Sequence, residues 1–190
     1  MKGRLMDMEL ERKFCQPGIG LRLTTEGTDQ VIEGYASLFD APDQGGDVVA
    51  RGAYAASLKA MAAEGRRVRM LWQHDPAQPI GLWDEVTEDA RGLRVKGRLL
   101  DGVARGREAA ALIAAGAIEG LSIGYRTIRA TKTAEGHRLL TELDLWEVSV
   151  VTFPMPPSAR VAAKADGLND AGLRDLATLF REGRQILAQG

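Results

Sequence analysis

The chain has 190 residues and 20.5 kDa, is 45% hydrophobic and 27% charged, and sets 25 Lys+Arg against 26 Asp+Glu. That length and composition fit a globular domain with a real core and exclude wholesale disorder. A formal net charge of −1 gives no electrostatic ground for nucleic acid or an anionic membrane as the main partner. No apolar run approaches the ~20 residues of a membrane span. The N-terminal MKGRLMDMELERKF alternates charge with apolar residues and lacks a signal-peptide core. Cys15 is the single cysteine, and His74 and His137 are the two histidines, so no intrachain disulfide, thiolate zinc cluster or His-rich metal site is expected. The chain reads as a cytosolic domain that needs no metal or cofactor.

Residues 30–39 (QVIEGYASLF) read as a strand, rich in β-branched and aromatic residues, that ends in the turn cluster DAPDQGGD at 40–47. Residues 52–63 (GAYAASLKAMAA) read as an amphipathic helix with Tyr54, Leu58 and Met61 on one face, closed by Gly65. Three strands follow at 67–73, 79–86 and 93–100, with a turn at 89–92 between the last two. A second helix spans 103–115, with Val103, Leu112 and Ile113 among alanines and Gly116 as its stop. Two longer strands, 118–129 and 137–153, form a hairpin through TAEG at 133–136. Six or seven strands and two helices without strict βαβ alternation point to an α+β class, a mostly antiparallel barrel with flanking helices. The prolines of PMPP at 154–157 close the core. The expected organisation is a domain over 1–161, then a linker and C-terminal amphipathic helix over 162–190, with Leu173, Leu176, Leu179, Phe180 and Ile186 in one stripe. That helix either packs back on the domain or serves as a docking or processed tail.

Ser122 lies in GLSIG at 120–124, which formally matches the G-x-S-x-G nucleophile elbow. The elbow needs a strand before the serine and a helix after it, and here the order is reversed. The motif fails on context, and Ser122 remains a candidate nucleophile on a strand. His74, in LWQHDP, ends a strand. A lone histidine there is readily structural; it becomes a base if it faces Ser122, because a hydroxyl needs one near neutral pH. Glu147, in LDLWEVSVV, shares a strand face with Leu145, Ser149 and Val151. It is a candidate partner for the second imidazole nitrogen, with Asp75 and His137 as rivals. Trp72 and Trp83 fit the core better than a cleft. Cys15 has no histidine near it in sequence and reads as a bystander.

Four blocks carry a resemblance: GYASLFDAPDQGGDVVARGAYAASL, VRMLWQHDPAQPIGLWDEV, IEGLSIGYRT and LDLWEVSVVTFPMPPSARV. In this order and spacing, over residues 31–161, they resemble the HK97-type phage prohead (capsid maturation) proteases, including those of gene transfer agents. The resemblance implies a herpesvirus assemblin-like fold and a serine endopeptidase with the histidine before the serine. WQHD then places the general base at His74, and GLSIGY places the nucleophile at Ser122. The third member of the herpesvirus enzymes is a histidine; the matching region here offers Glu147. Their arginine pair also has no counterpart pair, Arg160 standing alone after the prolines.

The implied substrates are the scaffold region of the major capsid protein, which is also the docking partner, and the protease itself. Cleavage is expected inside the assembling prohead in the host cytoplasm, with self-association as one route to activation. The competing readings are a catalytically inactive capsid-assembly or scaffold-binding factor of the same fold, and a small-ligand-binding barrel.

Overall fold

The computed structural model describes residues 10–14, 21–43 and 45–152, which fall within Met1–Pro156, one of two units into which the chain divides. Cys15, Arg160 and the expected C-terminal helix lie outside the described residues. Nine strands and two helices follow in order: β1 Glu11–Phe14, β2 Arg22–Glu26, β3 Asp29–Leu38, β4 Asp47–Val49, α1 Ala55–Ala63, β5 Arg69–Trp72, β6 Asp75–Glu88, β7 Gly92–Leu99, α2 Ala104–Ala114, β8 Gly120–Lys132 and β9 Arg138–Val151. The α+β class with a mostly antiparallel sheet is as expected. The count of six or seven strands was too low, because β1, β2 and β4 are short and carry little hydrophobic signal.

The sheet runs β1-β8-β9-β5-β6-β7-β3-β2, with β4 pairing β9. Closure into a barrel is not found: among the described residues the hydrogen-bonded path has two free ends, β1 and β2. β8 and β9 form the long antiparallel hairpin on one side of β9. On its other side β9 takes two parallel neighbours, β4 opposite Arg138–Leu140 and β5 opposite Glu147–Val150. β9 therefore has neighbours on both sides along half its length, and beside β5 its burial is continuous from Glu147 to Val151.

The alanine-rich helices form where periodicity places them, and Gly65 and Gly116 end them with left-handed φ values of +64° and +70°. Tyr54 and Met61 are buried beneath α1 and Leu58 packs against the core. Leu112 departs from expectation, at 37% exposure, while Gly106, Ala109, Ala110 and Ile113 face inward on α2. The small face lets Gly106 lie against the carbonyls of Leu100 and Ile80.

The core joins both helices to the sheet through Ile32, Tyr54, Met70, Ile80, Ile123 and Leu145, all essentially buried. Burying each such side chain stabilises the fold by about 1.5–3 kcal/mol. Trp83 belongs to this core, its indole N–H donating to the Val148 carbonyl of β9 at 3.1 Å. Trp72 is half-buried beneath the Arg105 guanidinium, which sits 5.5 Å from its ring centre.

Gly97 shows how tightly β6 and β7 meet: a Cβ there would overlap the Leu82 carbonyl and press on the Trp83 ring and the Met70 methyl. Gly97→Ala is expected to cost about 1–3 kcal/mol in urea unfolding. Gly102→Ala, with open space around it, should stay within about 0.5 kcal/mol of wild type.

Candidate active site

Three adjacent strands build the site. β9 supplies Glu147 and Ser149 two residues apart, hence on one face. β8 supplies Ser122, directly opposite Ser149 in the antiparallel register. β5 runs parallel to β9 with Leu71 opposite Ser149, and the turn that leaves β5 supplies His74. Positions far apart in sequence thus converge because two different pairings of β9 fix them.

That turn is tight. Trp72 pairs with Asp75, so Gln73 and His74 are its two central residues, and both are left-handed, with φ of +53° and +62°. This is the geometry of a type I′ hairpin, which usually takes Asn-Gly. Two side-chain-bearing residues held there cost roughly 1–2 kcal/mol each. Backbone and side chains of β9 and its end hold the turn: Gln73 N–H donates to the Val150 carbonyl at 3.0 Å, its amide to Thr152 Oγ1 at 2.6 Å, and His74 N–H to Ser149 Oγ at 3.1 Å.

Held this way, the imidazole bridges the other two groups. Nδ1 lies 2.5 Å from Glu147 Oε1 and Nε2 lies 2.7 Å from Ser122 Oγ. The second carboxylate oxygen accepts from Ser149 Oγ at 2.5 Å. A carboxylate only accepts, so it requires the proton on Nδ1, which leaves Nε2 of a neutral imidazole as an acceptor facing the hydroxyl. The His74 and Glu147 side chains are 5% and 6% exposed, and Ser122 is fully buried.

Gly124 lies opposite Glu147 on β8, and a Cβ there would overlap the carboxylate. The second glycine of GLSIG therefore makes room for Glu147 rather than shaping an elbow.

The rivals to Glu147 are placed elsewhere. Asp75 accepts from the Ala77 N–H and the Gln78 amide. His137 immediately precedes β9 at the far end of the hairpin, where its N–H donates to Thr133 Oγ1. Ser149 was not singled out from sequence, although its spacing from Glu147 was the available signal. Among the described residues no group of three or more His, Cys, Asp and Glu side chains is placed to hold a metal ion.

β1 covers the site. Ser122 Oγ is 3.0 Å from the Lys13 carbonyl. Upstream, the Glu11 carboxylate meets Arg138 at 2.7 Å and accepts from the Thr127 N–H. Burial alone would raise the Glu11 carboxyl, but these hydrogen bonds outweigh it and hold the group below its ordinary range. Burial has the upper hand at Asp47, whose carboxyl is raised.

A family model for caudovirus prohead serine proteases matches residues 20–172. The chain is 32% identical over 167 residues to the prohead protease of Enterobacteria phage HK97, covering 85% of this chain and 72% of that protein. Among solved structures, the bacteriophage T4 capsid assembly protease superposes with a TM-score of 0.61 at 20% identity, covering 77% of this chain and 98% of that one. The latter likeness is one of fold.

Two outcomes check the geometry. Gly124→Ala should displace Glu147 and abolish the low-field proton resonance that a short Nδ1–H···carboxylate bond produces, with the circular dichroism spectrum retained. Gln73→Gly relieves a left-handed side chain but gives up the amide bond to Thr152 Oγ1, so the two effects should offset and leave stability to urea within about 1 kcal/mol of wild type.

Proposed function

This chain belongs to the caudovirus prohead serine protease family, and on that premise we propose that it is a serine endopeptidase with Ser122 as nucleophile, His74 as general base and Glu147 as the group that orients the base. One observation carries the reading: a single buried imidazole spans from Ser122 Oγ at 2.7 Å to the Glu147 carboxylate at 2.5 Å. A histidine serving only the core would need neither a hydroxyl on one nitrogen nor a buried carboxylate on the other.

In this mechanism Ser122 Oγ attacks the peptide carbonyl while its proton passes to His74 Nε2. Glu147 stabilises the imidazolium, and His74 then donates the proton to the departing amine. Water repeats the sequence against the acyl-enzyme. Backbone N–H groups near Ser122 are the natural donors to the oxyanion. Ser149 positions both partners, since its hydroxyl donates to Glu147 and accepts from the His74 backbone. The histidine-before-serine order on a mostly antiparallel sheet is what an assemblin-like protease would present.

The substrates in this reading are the scaffold region of the major capsid protein and the protease's own chain. Cutting takes place inside the assembling prohead in the host cytoplasm, and residues 162–190 serve as the docking or processed tail. The family membership and the names of the HK97 and T4 proteins support a role in capsid maturation. The same role in a gene transfer agent would use the same chemistry.

The test is mass spectrometry of the full chain co-expressed with its major capsid protein. Wild type should yield a truncated capsid protein and Ser122→Ala an intact one. Glu147→Gln should slow cleavage by about 10⁴-fold, because an amide no longer enforces the required tautomer. Identical processing by wild type and Ser122→Ala would remove Ser122 as the nucleophile. No processing by wild type would favour the inactive assembly factor.

A further inference from the structure

Strand β1 occupies an unusual place for an N-terminal strand. Among the described residues it pairs with β8 alone, antiparallel, Phe14 opposite Ser122 and Lys13 opposite Ile123. Proteins that grip an extended peptide commonly add it as a strand to a sheet edge, with main-chain bonds for affinity and side-chain pockets for selectivity. β1 is such an addition, and it sets one peptide carbonyl, that of Lys13, 3.0 Å from the buried Ser122 hydroxyl.

The Lys13 side chain is the second observation. It is 3% exposed, rare for a lysine unless the ammonium is paired. Nζ donates to the Asp47 carbonyl at 2.8 Å and meets Asp43 Oδ2 at 3.1 Å. Asp43 is fixed beforehand, because its other oxygen accepts the N–H groups of Gly45 and Asp47, both at 2.8 Å. The Asp47 carboxylate faces Arg138 at 3.2 Å. Asp43 therefore supplies the negative charge that the ammonium meets. The recess offers a carboxylate and a carbonyl at the depth a lysine side chain reaches.

We infer that the groove beside β8 filled by β1 is the substrate groove, and that the recess of Asp43 and the Asp47 carbonyl selects lysine at the residue whose carbonyl Ser122 attacks. This rests on the serine endopeptidase reading. Oγ bonds to the lysine carbonyl carbon and the C–N bond to the next residue breaks. The hydroxyl proton leaves with the new amine by way of His74, and water then frees the lysine carboxylate. A glutamate in the recess would face Asp43 as a like charge. A neutral side chain would leave a largely buried carboxylate without its cation.

The same contacts make β1 a resting plug. Ser122 has one hydroxyl proton, and the Lys13 carbonyl competes for it with His74 Nε2. While β1 stays, the groove is also closed to other peptides.

The experiment uses the full chain and its Lys13→Ala variant, which empties the recess. Each is incubated with peptides of sequence MELERXF, followed by a short polar extension, where X is Lys, Gln or Glu; cleavage after X is read by mass spectrometry. A small fluorophosphonate reports separately on the reactivity of Ser122. The Lys13→Ala variant should cut the X = Lys peptide at least about tenfold faster than the other two. Adding Asp43→Asn, which keeps the turn-holding oxygen, should bring lysine down to the rate for glutamine. Fluorophosphonate labelling should be faster in Lys13→Ala than in wild type.

Equal cleavage of all three peptides, or a lysine preference that survives Asp43→Asn, overturns the recess. So does a Ser122 that reacts with fluorophosphonate in a protein that cuts none of the peptides. Labelling no faster in Lys13→Ala than in wild type overturns the plug. A Ser122 inert to the probe in both proteins, with no peptide cut, overturns the endopeptidase reading itself and this inference with it.

Discussion

The Glu147 carboxylate lies buried in the middle of a strand that has neighbours on both sides, where an unpaired ion would cost several kcal/mol. Its two oxygens are satisfied by the His74 ring and the Ser149 hydroxyl. These donors also decide the chemistry: the imidazole is oriented by the same bond that makes the carboxylate tolerable. Gly124 leaves the space, Ser149 closes the circuit to the His74 backbone, and the β5 turn delivers the ring. Removing one partner leaves the others badly placed as well as unpaired.

The strained turn follows from this requirement. A relaxed hairpin between β5 and β6 would place Asn-Gly where Gln73 and His74 stand, and no imidazole would reach β8. The fold holds two left-handed residues in place with hydrogen bonds from the end of β9. Local preference yields here to the hydrogen bonds that bring His74, Ser122 and Glu147 together.

Much of this was legible in the residues. The alternation of β3, β7 and β9, the alanine faces of both helices and the glycines that end them all carry strong periodic signals, and the elements lie within a few residues of expectation. Glu147 could be singled out because alternation places it on the face of Ser149, but only the pairing of β9 with both β5 and β8 shows that its carboxylate is the one that meets the His74 ring. β1 was invisible for a physical reason: ERKF has charges where a strand should show apolar residues, and Lys13 is buried by an ion pair that composition does not reveal. β2 is largely exposed and β4 has three residues, so neither imprints a clear pattern. The barrel expectation came from counting strands, which says nothing about whether the first and last in the sheet will pair.

The parallel pairing of β5 with β9 has a consequence for how the molecule comes into being. Hairpins such as β8–β9 close short loops, whereas Leu71 can meet Ser149 only after the chain between them has been gathered in. Long-range closures of this kind come late and set the pace of folding. β9 is also the last described strand to leave the ribosome, so a nascent chain carries Ser122 and His74 without the carboxylate that aligns them. The juxtaposition of Ser122, His74 and Glu147 is therefore a property of the finished sheet, absent from any shorter nascent chain.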